Sequence, residues 1–147
     1  MEYNLALIGF GNVGQGLAEI LSKKASLLRD QFNADIRIIA ICDLYKGSIA
    51  DPNGLDPQAL LDHINEKNDL KKFPAPYKDW DARETIENSG ANVLVELSFT
   101  DLKTGEPALS HMIQALTSGI NVSTTNKGPA ALHFQKLLEL SKTYGGE

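Results

Sequence analysis

Residues 3–16, "YNLALIGFGNVGQG", decide the fold. Tyr3 to Gly11 is a short apolar run ended by glycines, the pattern of a strand buried on both faces of a parallel sheet. Directly after it, "GFGNVG" sets Gly9, Gly11 and Gly14 in the G-x-G-x-x-G spacing at a strand-to-helix junction. In that setting Gly9 allows a tight turn, Gly11 lets the backbone approach a pyrophosphate, and Gly14 lets the helix pack closely on the sheet. The free N–H groups of Gly11, Asn12 and Val13 would face phosphates at the positive end of the helix, and Phe10, in the same loop, is counted among the cofactor-binding candidates. A glycine turn serving packing alone would read the same in isolation. The strand-turn-helix context favours a dinucleotide.

Outward from this stretch, apolar strand patterns alternate with helical ones. "NVGQGLAEILSKKASLLRDQF" carries Val13, Leu17, Ile20, Leu21, Leu27 and Leu28 at near-helical spacing, giving a helix to about Asp30. "DIRIIAICD" (Asp35 to Asp43) is β-branched and apolar, a second buried strand. Leu44 to Gly54 is rich in turn formers and reads as a loop. Asp56 caps a helix that starts at Pro57, the two prolines of "KKFPAPYKDW" make that stretch irregular with room for a short edge strand, and Asp81 caps a helix ended by Gly90. Ala91 to Ser98 is a strand, "EPALSHMIQALTSG" a helix, "INVSTT" a strand, and a last helix starts at Pro129 with Gly128 as its cap. The order predicts an α/β fold of one domain over 1–147, a Rossmann-type doubly wound parallel sheet.

Composition narrows the function classes. The chain has 147 residues, 42% hydrophobic and 22% charged, with a net charge of −5, which argues against a nucleic acid partner. No apolar run approaches the length of about 20 residues that spans a membrane, and the N-terminus lacks the basic start of a signal peptide, so a cytoplasmic location is expected. The single cysteine, Cys42, lies in an apolar strand pattern and reads as a core residue. His63, His111 and His133 fall on separate helices without metal-ligand spacing, so no metal site is expected and they read as surface or packing residues. Neither a G-x-S-x-G elbow nor a Walker-type lysine loop occurs.

Candidate chemistry gathers at the strand ends, where an open parallel sheet forms its ligand crevice. Asp43 closes the second strand, placed to accept from the adenosine ribose hydroxyls of NAD and to repel the 2′-phosphate of NADP. Lys46, three residues on, could offset it; NAD is favoured over NADP. Ser98, Phe99 and Thr100 follow one strand, and Thr124 and Thr125 another. Their hydroxyls suit contact with the nicotinamide end and suit helix capping equally well. Lys127, in "TTNKGP", stands at a helix N-terminus, where a cation is disfavoured. Such a setting brings a lysine closer to acid-base use, and Lys127 is the candidate catalytic residue as well as a cofactor neighbour.

The segments "ALIGFGNVGQGL", "DPNGLD", "VELSFTDLKTGEPAL" and "GINVSTTNKGPAAL" together resemble the nucleotide-binding domain of homoserine dehydrogenase over essentially the whole chain. The glycine loop is shared with many oxidoreductases; "GEPAL" with "TTNKGP" is much more specific. The resemblance implies NAD(P)-dependent interconversion of L-homoserine and L-aspartate 4-semialdehyde, a step toward threonine and methionine. It places Lys127 between nicotinamide and substrate. It also implies a further C-terminal domain, beginning about where "SKTYGGE" stands, that binds the amino acid and carries a homodimer interface. The 147 residues would then bind cofactor without turning over substrate. Two other readings fit the glycine loop: a standalone dinucleotide-binding sensor or regulatory domain, and another reductase with the same cofactor domain.

Overall fold

Period-two alternation along the first strand sorts the molecule into two layers of helices. In the computed structural model, which describes residues 1–147, β1 runs Glu2–Ile8, with Leu5 and Leu7 in one core and Ala6 and Ile8 facing the opposite side. On the first side lie α1 (Asn12–Phe32) and α2 (Pro57–Lys67), which bury Ala18, Leu21, Leu60 and Ile64. On the other lie α3 (Ala82–Asn88), α4 (Ala108–Thr117) and α5 (Lys127–Tyr144). Beside β1, β2 (Asp35–Asp43) slips register after Leu5, so Ile38 and Ile41 face α1 and α2 while Ile39 and Ala40 turn the other way. The extra residue reconciles a run of β-branched side chains with two separate cores.

The remaining strands are β3 (Gly47–Ala50), β4 (Tyr77–Lys78), β5 (Val93–Glu96) and β6 (Asn121–Thr124), in the sheet order β4-β3-β2-β1-β5-β6. Strands β2, β1, β5 and β6 are parallel, as the doubly wound reading requires, but β3 and β4 are antiparallel additions at one edge. The expected loop over Leu44 to Gly54 therefore contains a strand. Turn formers on both sides of "GSIA" obscured it: the Asp43 carboxylate accepts from the N–H groups of Tyr45 and Lys46 at 3.0 and 2.9 Å, and Asp51 shapes the exit through Asn53. Between those turns Ser48, Ile49 and Ala50 are buried.

Most helix ends follow their caps. Asp56 accepts from Ala59 N at 2.8 Å, and Asp81 with Glu84 forms a capping box. The last helix starts two residues earlier than expected, at Lys127 with Asn126 in the capping position. The apolar positions of α1 divide into two stripes: Leu17, Leu21 and Leu28 pack inward, whereas Val13, Ile20 and Leu27 stay exposed. No helix is long and apolar enough to cross a membrane.

Candidate dinucleotide site

Strand order reverses between β1 and β5, so the carboxyl ends of these two strands open a crevice beneath the glycine loop. The three glycines of that loop stand in different surroundings. Gly9 adopts φ +101°, and a Cβ there would lie 2.7 Å from the Leu97 carbonyl oxygen at the end of β5. Gly14 is tight as well, its missing Cβ 3.0 Å from Gly9 O and 3.1 Å from the Phe10 ring. Gly11 meets nothing within 4 Å. Two glycines thus let backbone and helix pack closely, and the third keeps a surface open where the chain itself needs no room.

That open surface lies at the start of α1. Gly11 caps the helix without a side-chain hydrogen bond, and the first N–H groups of any helix lack intrahelical partners. Donors at a positive helix end, beside a backbone without a side chain, suit a pyrophosphate. Phe10 does not share in this. Its side chain is fully buried, its N–H donates to Asp43 Oδ2 at 2.7 Å and its carbonyl accepts from Gln15 Nε2 at 3.0 Å, so its groups are spent on building the loop.

Asp43 ties the glycine loop to the end of β2. Burial pushes its carboxyl group up, but the N–H groups of Phe10, Lys46 and Tyr45 and the charge of Lys46 outweigh burial and hold it below the usual carboxylate range. Three acceptor positions of the carboxylate are filled, out of about four that two oxygens provide, which leaves room for a further donor. Cys42, next to it, is half-buried; burial raises its thiol, which lies 3.7 Å from Trp80 O, so the packing reading fits.

Across the crevice the hydroxyls turn inward. Thr124 Oγ1 donates to Glu96 O at 3.0 Å and accepts from Asn126 N at 2.9 Å. Ser98 Oγ bonds the Glu96 carboxylate and Phe99 O. Of the two uses open to them, both shape the chain, while Phe99 is 80% exposed at the crevice edge. Thr100 packs its methyl against Gly128, whose missing Cβ would lie 2.7 Å away. Lys127 is exposed at the first position of α5.

A cluster absent from the sequence reading sits behind this edge. Glu96, fully buried, accepts from Ser98 N at 2.8 Å and from Asn126 Nδ2 at 3.2 Å, and meets His111 Nδ1 at 2.7 Å. His111 is therefore the partner of a buried carboxylate rather than a mere surface or packing residue. The signal was present in the sequence: a glutamate ending the apolar run "VLVE" needs a partner when buried, and His111 shares a helical face with Ala108 and Ala115. His63 stacks edge-on against Phe73 and His133 bonds Thr104 O at 3.0 Å, so the three histidines form no common site.

Residues 2–133 match the family model described as Glutamate/Leucine/Phenylalanine/Valine dehydrogenase. The chain belongs to this family. Relatives that it matches along nearly its whole length are homoserine dehydrogenases, as the motifs suggested. The NAD(+)-dependent homoserine dehydrogenase of Pseudomonas canavaninivorans is 35% identical over 96% of this chain and 40% of its own length. The homoserine dehydrogenase of Methanocaldococcus jannaschii is 30% identical over 97% of this chain and 42% of its own. A hyperthermophilic archaeal homoserine dehydrogenase mutant, solved in complex with NADPH, superposes with a TM-score of 0.81 at 28% identity, covering 99% of this chain and 43% of that one. The chain thus spans about two fifths of the length of these relatives.

Proposed function

We propose that this chain is the NAD(P)-binding part of a homoserine dehydrogenase, spanning 1–147 as one domain. The observation that carries the reading is the division of labour in the glycine loop, with Gly9 and Gly14 packed and Gly11 open beside the free donors of α1. Gly11, Asn12 and Val13 would hold the pyrophosphate, Asp43 the adenosine ribose, and Ser98, Phe99, Thr124 and Lys127 would border the nicotinamide, the first and third through their backbone. A nicotinamide held there would supply the hydride-accepting chemistry needed to oxidise the carbinol carbon of L-homoserine to L-aspartate 4-semialdehyde. Lys127 would orient and polarise the reacting oxygen, whose proton leaves as the carbonyl forms. The remaining length seen in the relatives would supply the amino-acid site and the interface of a homodimer.

Both NAD and NADP come within this reading. The negatively charged Asp43 favours NAD, since a 2′-phosphate would meet a carboxylate held ionised, while Lys46 is the counterweight. A standalone sensor has less support, because the three relatives named above are dehydrogenases. Parallel titration of the chain with NADH and NADPH, followed by reduced-nicotinamide fluorescence, tests the reading. Saturable binding with NADH ahead is expected; binding of neither would refute it.

A further inference from the structure

We propose that Glu96 is a positioning residue of the candidate site, holding the Asn126 side chain and through it the Asn126–Lys127 corner, with His111 fixing the carboxylate from behind. The proposal takes from the dinucleotide reading what the corner is for, though not what holds it.

Asparagine is among the best helix-capping residues because its side-chain oxygen can accept from the first N–H groups of the helix. Asn126 occupies the capping position of α5 and makes no such bond. Its amide nitrogen instead donates to Glu96 Oε1 at 3.2 Å and to Ser98 O at 3.0 Å. Its backbone N–H reaches Thr124 Oγ1 at 2.9 Å, and that hydroxyl donates to Glu96 O at 3.0 Å. Main chain and side chain of Asn126 therefore both end on residue 96. A cap is forgone so that β5 and the start of α5 are locked together, with Lys127 as the next residue.

Burying a carboxylate is unfavourable unless it is paired and hydrogen-bonded. Glu96 has 0% exposure, and the Ser98 N–H, Ser98 hydroxyl, Asn126 amide and His111 ring surround it. An apolar residue ending β5 would fill that space without these demands. The segments "GEPALSH" and "TTNKGP", distant in the chain, pack against each other at Gly105 and Pro129 and are also bridged by this carboxylate: His111 comes from the first and Asn126 from the second. What the contact delivers is a fixed relation between β5, α4 and the lysine corner.

Substitution of the capping residue separates positioning from stability. Asn126→Ser places a good capping residue there that cannot reach Glu96. Its melting temperature should stay near that of the parent, because the regained cap offsets the lost bond to Glu96, while 15N relaxation of the labelled chain shows increased backbone motion over residues 125–128. In an NADH titration the Kd should stay within about threefold, because the pyrophosphate and ribose contacts are untouched, while the fluorescence enhancement at saturation falls by about half or more. Glu96→Gln keeps an acceptor for Asn126 and Ser98 and can donate to His111 Nδ1, so it should restore parental order and enhancement. Glu96→Ala should loosen the corner as Asn126→Ser does; if it fails to fold, Asn126→Ser carries the test. Unchanged order over 125–128 in Asn126→Ser overturns the proposal, as does a loss of order matched by a lower melting temperature. If the parent chain binds neither NADH nor NADPH, the dinucleotide reading fails, and the relaxation measurement still decides whether Glu96 holds the corner.

Discussion

Alanine at Gly9 and alanine at Gly11 should separate packing from ligand binding within one loop. At Gly9 the new Cβ would stand 2.7 Å from the Leu97 carbonyl, in a backbone conformation of φ +101° that side chains disfavour. Strain of this kind costs about 1–3 kcal/mol, and a clash with strand backbone that cannot rotate away raises the sum to about 3–5 kcal/mol. Against a stability of about 5–15 kcal/mol, and at roughly 2–4 °C per kcal/mol for a domain near this size, the melting temperature should fall by roughly 10–15 °C. At Gly11 the backbone is extended, with φ −81°, and the Cβ has open space. The gain of about 0.4–1 kcal/mol from a stiffer unfolded chain nearly cancels the poorer cap, so the melting temperature should move by less than about 2 °C. A pyrophosphate on that backbone would be pushed back and lose a charge-assisted hydrogen bond of about 1.5–3 kcal/mol, weakening NADH roughly 10- to 100-fold. Differential scanning fluorimetry and a fluorescence titration read the two effects. Gly11→Ala with unchanged affinity, or Gly9→Ala with parental stability, would refute the assignment of roles.

Asp43→Asn should destabilise the chain at neutral pH by setting an amide where an N–H now donates. Because the folded carboxyl is held below its ordinary value of about 3.9, its contribution is full above that value and fades as pH falls through the lower folded one. Denaturant unfolding from pH 7 to pH 3 should therefore show the gap between parent and variant narrowing. Gly128→Ala should lower stability by about 1–2 kcal/mol, despite alanine's better helix propensity, because the Thr100 methyl stands 2.7 Å away; Thr100→Ser should recover most of that loss in chemical denaturation. Lys127→Ala should raise stability by about 0.3–1 kcal/mol by removing a cation from a helix N-terminus, with NADH affinity within about threefold. In a polypeptide of the relatives' full length it should abolish most homoserine-dependent NADH formation, and normal turnover would remove Lys127 from the proposed mechanism.

The parallel core of the sheet could be read from the sequence because each strand there is a self-contained apolar run bounded by glycine or a capping residue. "DIRIIAICD" gave β2 to the residue, and Asp56-Pro57 and Asp81 gave their helix starts. β3 could not be read the same way, since four residues between two Asp-centred turns carry too short a pattern to outweigh the turn formers. The start of α5 was misplaced because "NKGP" offers a glycine and a proline that ordinarily mark a cap and first turn. In the folded chain Gly128 is needed for close approach to Thr100, and Asn126 takes the capping position. The roles of Gly9 in the turn and Gly14 in close packing were legible for a different reason: backbone geometry at a strand-to-helix junction follows from spacing alone.

Side-chain roles were harder to read because residue type does not say whether a polar group faces inward or outward. Asp43 and Glu96 both sit at carboxyl ends of parallel strands, both carboxylates are largely filled by the protein's own donors, and each joins a strand end to another element. Ser98 and Thr124 are spent on the second of these joints. Once those groups are committed, what the crevice can offer a ligand is mostly main chain and exposed chemistry: the donors of Gly11 to Val13, a remaining acceptor on Asp43, the ring of Phe99 and the amine of Lys127. That is a rigid frame with few free groups, and it suits a ligand recognised along its length by backbone and charge. It also gives the two buried joints separate duties. The Asp43 joint sets the loop that would bear the pyrophosphate, and the Glu96 joint sets the corner that bears the lysine. Loosening one should therefore disturb one end of a bound dinucleotide and spare the other.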